Sequence, residues 1–131
     1  MPQTGLGVAL RALRERSGHS LRRITELTDV DHAYVYRLET GEKTNPSLDL
    51  VERVLAVLGT VPRENALVAW LVDHPETDHA LVQYALEDST VDVEIFSAAA
   101  GVRHRGNVRP DPATLIARVR RAFSEDEEED D

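Results

Sequence analysis

The sequence predicts an all-α protein: an N-terminal unit of four short helices, a C-terminal bundle of three to four helices, and a disordered acidic tail. Three observations carry that reading. Apolar residues recur at three- and four-residue spacing through most of the chain, as one face of a helix requires. Ser, Asp and Gly punctuate the pattern where helices would start and stop. There are no cysteines, so neither disulfides nor zinc–thiolate sites can stand in for a packed core. With 131 residues, 41% of them apolar, the chain can bury one good core and a smaller second one.

Leu6, Leu10 and Leu13 set a first helix over residues 5–17, stopped by Gly18. Ser20 caps a second, with Leu21, Ile24 and Leu27 on one face and an end near Asp29. Asp31 caps a third in which Val35 and Leu38 face inward and Gly41 terminates. After a loop over residues 42–46, Ser47 caps a fourth helix, whose Leu48, Val51, Val54, Leu55 and Leu58 form a stripe closed by Gly59. Pro62 suits the first turn of a fifth helix, which His74-Pro75 ends, because the residue before proline is pushed out of the helical region. A sixth covers residues 78–87. Over residues 90–100, Val91, Val93 and Ile95 alternate as in a strand while Ala98–Ala100 favours helix; we read helix. Asp111-Pro112 starts a last helix carrying Leu115, Ile116, Val119 and Phe123. The units are residues 1–60, 61–124 and 125–131.

The net charge of −9 is unevenly placed. Residues 1–60 hold eight Lys/Arg and eight Asp/Glu, whereas seven of the remaining acids form the run Glu125–Asp131. That run has nothing apolar to bury and is expected to be disordered. No apolar stretch approaches a bilayer span and no leader-like segment opens the chain, so a soluble, cytoplasmic protein is expected, without a membrane partner. No nucleophile with a base, phosphate-cradling glycine loop or carboxylate pair stands out, so neither an enzyme nor a cofactor is expected. His74 and His79 lie among Asp73, Glu76 and Asp78, but their spacing fits no metal signature, and no metal site is assigned.

The informative stretch is Gly18 to Pro46, GHSLRRITELTDVDHAYVYRLETGEKTNP. A serine cap, a short helix, a tight turn at Asp29-Val30 and a second short helix ending Arg-Leu-Glu-Thr-Gly are how a helix-turn-helix is written. Ile24, Val30, Val35 and Leu38 meet inside, leaving His32, Ala33, Tyr36 and Arg37 outward. Tyr34 and Tyr36 can alternatively pack on neighbouring helices, and Arg37 can be an ordinary solvated charge.

These residues resemble the Cro/phage-repressor-type, XRE-like helix-turn-helix regulators over residues 6–60, most specifically in Tyr34–Gly41 and in Asn45-Pro46-Ser47-Leu48. The resemblance implies a buried ion pair between Arg14 and Glu39. It also implies base reading in the major groove by His32, Ala33, Tyr36 and Arg37, with phosphates held by Ser20, Arg22, Arg23, Lys43, Thr44 and Asn45. Leu21 departs from the family, where many members carry glutamine.

The implied partner is double-stranded DNA, in the nucleoid, and the implied role is a homodimeric repressor of an inverted-repeat operator. Trp70, Leu71, Leu81, Tyr84, Ile95, Phe96, Leu115, Val119 and Phe123 are the expected dimerisation surface; the alternative is that these apolar residues only cap the first core. An antitoxin-like interaction module that binds DNA for autoregulation, or a nucleoid-organising protein that bridges DNA, remains open beside that role. In layout the C-terminal half is similar to stress-response repressors cut by an ImmA/IrrE-type metallopeptidase, which would make residues 100–105 a cleavage region; a basic solvated loop is the plainer reading. The acidic tail either competes with DNA for Arg22, Arg23 and Lys43 or only adds solubility.

Overall fold

A side chain that suits the role stands before six of the helices. In the computed structural model, which describes residues 3–102 and 110–129, Thr4, Ser20, Asp31, Ser47, Asp78 and Asp92 each accept a hydrogen bond from a backbone N–H of the first turn that follows. Those bonds satisfy donors that a helix start leaves unpaired. The described residues form eight α-helices and no strand: α1 (Gly5–Ser17), α2 (Leu21–Thr28), α3 (His32–Thr40), α4 (Leu48–Leu55), α5 (Pro62–Asp73), α6 (His79–Glu87), α7 (Val93–Ala100) and α8 (Pro112–Glu129). None of them is long and apolar enough to cross a membrane.

Four details differ from the sequence reading, one of them that Leu48, expected in the apolar stripe of α4, is exposed. α4 ends at Leu55, not near Gly59, because Val57 and Leu58 bond three residues back, to Val54 and Leu55, tightening the last turn out of α geometry. Leu27 is 42% exposed, although it was expected on the inner face of α2. A run at i, i+3, i+6 drifts by about 60° at each step, so Thr28 takes the inward place and returns its hydroxyl to the Ile24 carbonyl at 2.6 Å. The last helix, expected to close near residue 124, is described as far as Glu129. Glutamate is a good helix former, and extending a helix already nucleated at Pro112 adds one bond per residue fixed.

α1 is the axis of the molecule. Residues Thr4 to Leu10 are all buried, and α1 packs against α3, α5 and α6. The approach to α3 is very close: a Cβ on Gly7 would sit 2.6 Å from the Leu38 carbonyl oxygen and 2.7 Å from that of Glu39. Only glycine allows it. At its start, α1 is tied to the α5–α6 connection by the Gly5 N–H, which donates to the Pro75 carbonyl at 2.6 Å.

One apolar cluster runs from Leu6 to Val119, with α5 contacting α1, α4 and α7, and α8 lying over α6 and α7. For five of the nine residues expected at a dimerisation surface, the chain itself provides the cover. Leu71, Leu81, Phe96, Leu115 and Val119 are buried within the chain itself, because α6 packs on α1, α7 on α5, and α8 on α6 and α7. Trp70, Tyr84, Ile95 and Phe123 are partly buried against the same core. The five fully buried residues cannot meet a partner without opening the fold.

Of the expected cleavage region, Ala100 ends α7 and Gly101 and Val102 are exposed; residues 103–105 lie outside the described residues, as do Asp130 and Asp131 of the acidic run.

Candidate nucleic-acid interface

α3 is held at both ends and along its inner side, and each restraint is local in origin. Asp29, with φ 63°, turns the chain out of α2, a left-handed conformation that aspartate tolerates better than most residues. Thr28 Oγ1 accepts from the Val30 N–H, and Thr25 Oγ1 donates to the Val30 carbonyl at 2.7 Å. The two threonines thus fix the turn between α2 and α3. Asp31 caps α3 through the Ala33 N–H, and Gly41, at φ 87°, ends it.

The inner side is locked by charge. Arg14 Nε donates to Glu39 Oε2 at 2.7 Å, and Nη2 to Oε1 at 3.0 Å, a bidentate pair. Its third donor goes to the His19 carbonyl at 3.1 Å. The Glu39 side chain is 4% exposed and that of Arg14 16%, so the guanidinium and carboxylate are satisfied by each other rather than by water. The bond to Glu39 raises the Arg14 pKa against the opposing effect of burial.

With Val35, Leu38 and Glu39 buried, His32, Tyr36 and Arg37 point to solvent and Ala33 is half-buried. Tyr36 is 55% exposed, whereas Tyr34 packs against the core. The outward residues are loosely engaged. His32 Nδ1 lies 3.5 Å from Asp31 Oδ1 and Arg37 Nε lies 3.9 Å from Glu42 Oε2, distances that hold a side chain weakly in water.

The flanking polar residues differ from one another. Arg22 and Lys43 are exposed and in no ion pair among the described residues. Arg23 pairs with Glu26 at 2.9 Å. Ser20 uses its hydroxyl oxygen to cap α2 through the Arg23 N–H at 3.0 Å, which leaves only its own O–H to donate. Thr44 and Asn45 are exposed in the loop before α4. Leu21, at the first position of α2, is partly buried against the core.

Two restraints on this unit were not identified from the sequence. Glu64, 4% exposed, forms a bidentate pair with Arg16 of α1, at 2.5 and 2.8 Å, and accepts from the Val61 N–H at 3.1 Å. Arg16, foremost by its hydrogen bonds, holds the Glu64 carboxyl below its ordinary value against the cost of burial. Arg63 donates to the carbonyls of Ala85, Leu86 and Val91, placing a cation at the C-terminus of α6, where the dipole favours it. Pro62 with Glu64 two positions on is a legible helix start, but no local pattern names Arg16 as the partner.

Elsewhere, His74 stacks on Trp70 with ring centroids 4.0 Å apart and shares a hydrogen bond with the Trp70 carbonyl. Among the described residues no three His, Asp or Glu side chains are grouped to hold a metal ion.

Residues 6–68 match the family model of a helix-turn-helix domain. The match runs past residue 60 into α5, in keeping with the Arg16–Glu64 pair that joins α5 to α1, and it stops short of α6–α8. No curated protein and no solved structure matches the chain.

Proposed function

We propose, from the premise that residues 6–68 are a DNA-binding helix-turn-helix domain, that the chain is a sequence-specific transcriptional regulator acting as a homodimeric repressor on an inverted repeat. The observation that supports this most is the outward set on α3. His32, Tyr36 and Arg37 are exposed on the first two turns of a helix whose other side is locked to α1, the presentation a groove-entering helix needs. Arg37 reads guanine through O6 and N7; Tyr36 and Ala33 offer apolar contact to a thymine methyl; His32 donates to or accepts from a base edge. Ser20, Arg22, Arg23, Lys43, Thr44 and Asn45 hold phosphates on either side and set register rather than sequence.

The exposed acids beside this surface keep the free protein from binding any polyanion indiscriminately. Glu26 and Glu42 engage Arg23 and Arg37 until DNA replaces them. Such solvated pairs are worth about 0–1 kcal/mol, so the exchange costs little. Binding weakens steeply with salt as phosphate contacts release counterions.

The test is selection of bound sequences from random duplexes, with Arg37→Ala in parallel. The expected outcome is an inverted repeat whose preference relaxes at one base pair per half-site in the variant, by about 1–3 kcal/mol of discrimination. If the wild-type chain enriches no motif, the proposal fails.

A further inference from the structure

α8 carries a charge order along its outward side that one copy of the chain leaves unmatched. Its inner side is anchored by Leu115, Ile116 and Val119, with Phe123 partly buried after them. Beyond Val119 no described residue of α8 is fully buried, yet the helix continues to Glu129, about 15 Å further. On the opposite side Thr114, Ala117, Arg121 and Glu125 follow at i, i+3, i+7 and i+11, all exposed. Arg118 and Arg121 are in no ion pair among the described residues, while Arg120 turns to the Thr90 hydroxyl at 2.6 Å.

The order of these charges is wrong for a lone helix. Anions gather at the C-terminus, where the dipole disfavours them, and an arginine four residues before a glutamate is the weaker orientation of an intrahelical pair. Parallel pairing with another such helix would set like charges opposite each other. Antiparallel pairing sets unlike charges opposite.

We propose that α8 pairs antiparallel with α8 of a second copy, about a two-fold axis at the level of Phe123. Arg121 of each copy then lies opposite Glu125 of the other. The contact is self-complementary, as a closed two-fold interface must be. Ala117, Ala122 and Ser124 beside the seam are small enough for close approach of the axes. The seam lies opposite the side that Leu115 and Val119 bury, so it forms without opening the core. An overlap of about 20 Å with few apolar residues makes a weak, salt-sensitive dimer, favoured when both copies occupy neighbouring half-sites.

This pairing rests on the homodimeric reading of the preceding section, and charge exchange separates the two. Self-association of the full chain is measured by sedimentation at low salt. R121E and E125R are each expected to weaken it about tenfold, through two symmetry-related repulsions. The R121E/E125R double variant restores it, and so does an equimolar mixture of the two single variants, in which every facing pair is again unlike. Self-association of R121E equal to that of wild type overturns the proposal, as does failure of the double variant to recover while its thermal unfolding matches wild type. Binding to a duplex carrying one half-site is followed in the same proteins. It is unchanged if α3 alone makes the base contacts, so loss of DNA selection with intact charge exchange would count against the DNA reading and not against the pairing.

Discussion

α3 and α8 each bury one side and show the other to solvent, yet they are held in different ways. α3 has nine residues, is capped at its start by Asp31 and ended by Gly41, and is tied to α1 by the Arg14–Glu39 pair and by the backbone approach at Gly7. α8 has eighteen residues and loses full burial after Val119. A short helix restrained at both ends and along one side presents its outward residues in one geometry, which base reading demands. In α8 the described residues from Arg120 to Glu125 leave one side open to solvent, where a partner can be met.

The largest expected effect comes from breaking the lock on α3. Glu39→Ala strands the Arg14 guanidinium in a nearly closed site and should cost about 3–5 kcal/mol of stability, read as a fall in denaturant midpoint. An unchanged midpoint would show that the pair holds nothing. Next is the second tie to α1. Glu64→Gln should cost about 1.5–3 kcal/mol at neutral pH, the worth of hydrogen bonds to a charged group. Because the Glu64 carboxyl is held below its ordinary value of 4.5, its stabilisation is fully present above that value and is lost as pH falls through the lowered one. Wild type should therefore lose its advantage over Glu64→Gln on the acid side; a constant gap from pH 7 to pH 3 would contradict this.

Gly7→Ala should cost about 1–3 kcal/mol by forcing α1 from α3, and it should weaken DNA binding by more than an equally destabilising change elsewhere, since α3 must shift. At the small end, Ser124→Pro breaks α8 beyond its anchor. It should change global stability by no more than about 0.5 kcal/mol while lowering helix content by circular dichroism. A large loss of stability would mean that the outer turns of α8 belong to the core.

How far each helix could be read from the sequence follows the same division. The start of α3 at Asp31, its end at Gly41 and the inward Val35 and Leu38 are local facts, set by caps and period. Leu27 departs from its expected place for a local reason too: three-residue spacing drifts around a helix and does not keep to one face. The nine apolar residues expected at a dimer surface show a different limit. Their periodicity marked a buried side correctly, but periodicity cannot say whether the chain itself or a second copy provides the cover.

By itself, then, the sequence determined where the eight helices begin and end to within a few residues, because capping, glycine termination and hydrophobic period act over one or two turns. The tertiary structure alone decided that Arg16 closes on Glu64, that Arg63 caps α6, and that α6 and α7 turn their apolar faces onto α1 and α5 while α8 covers α6 and α7. Those choices join residues up to 48 positions apart, and which distant groups meet is fixed by how the helices pack, which no local pattern encodes.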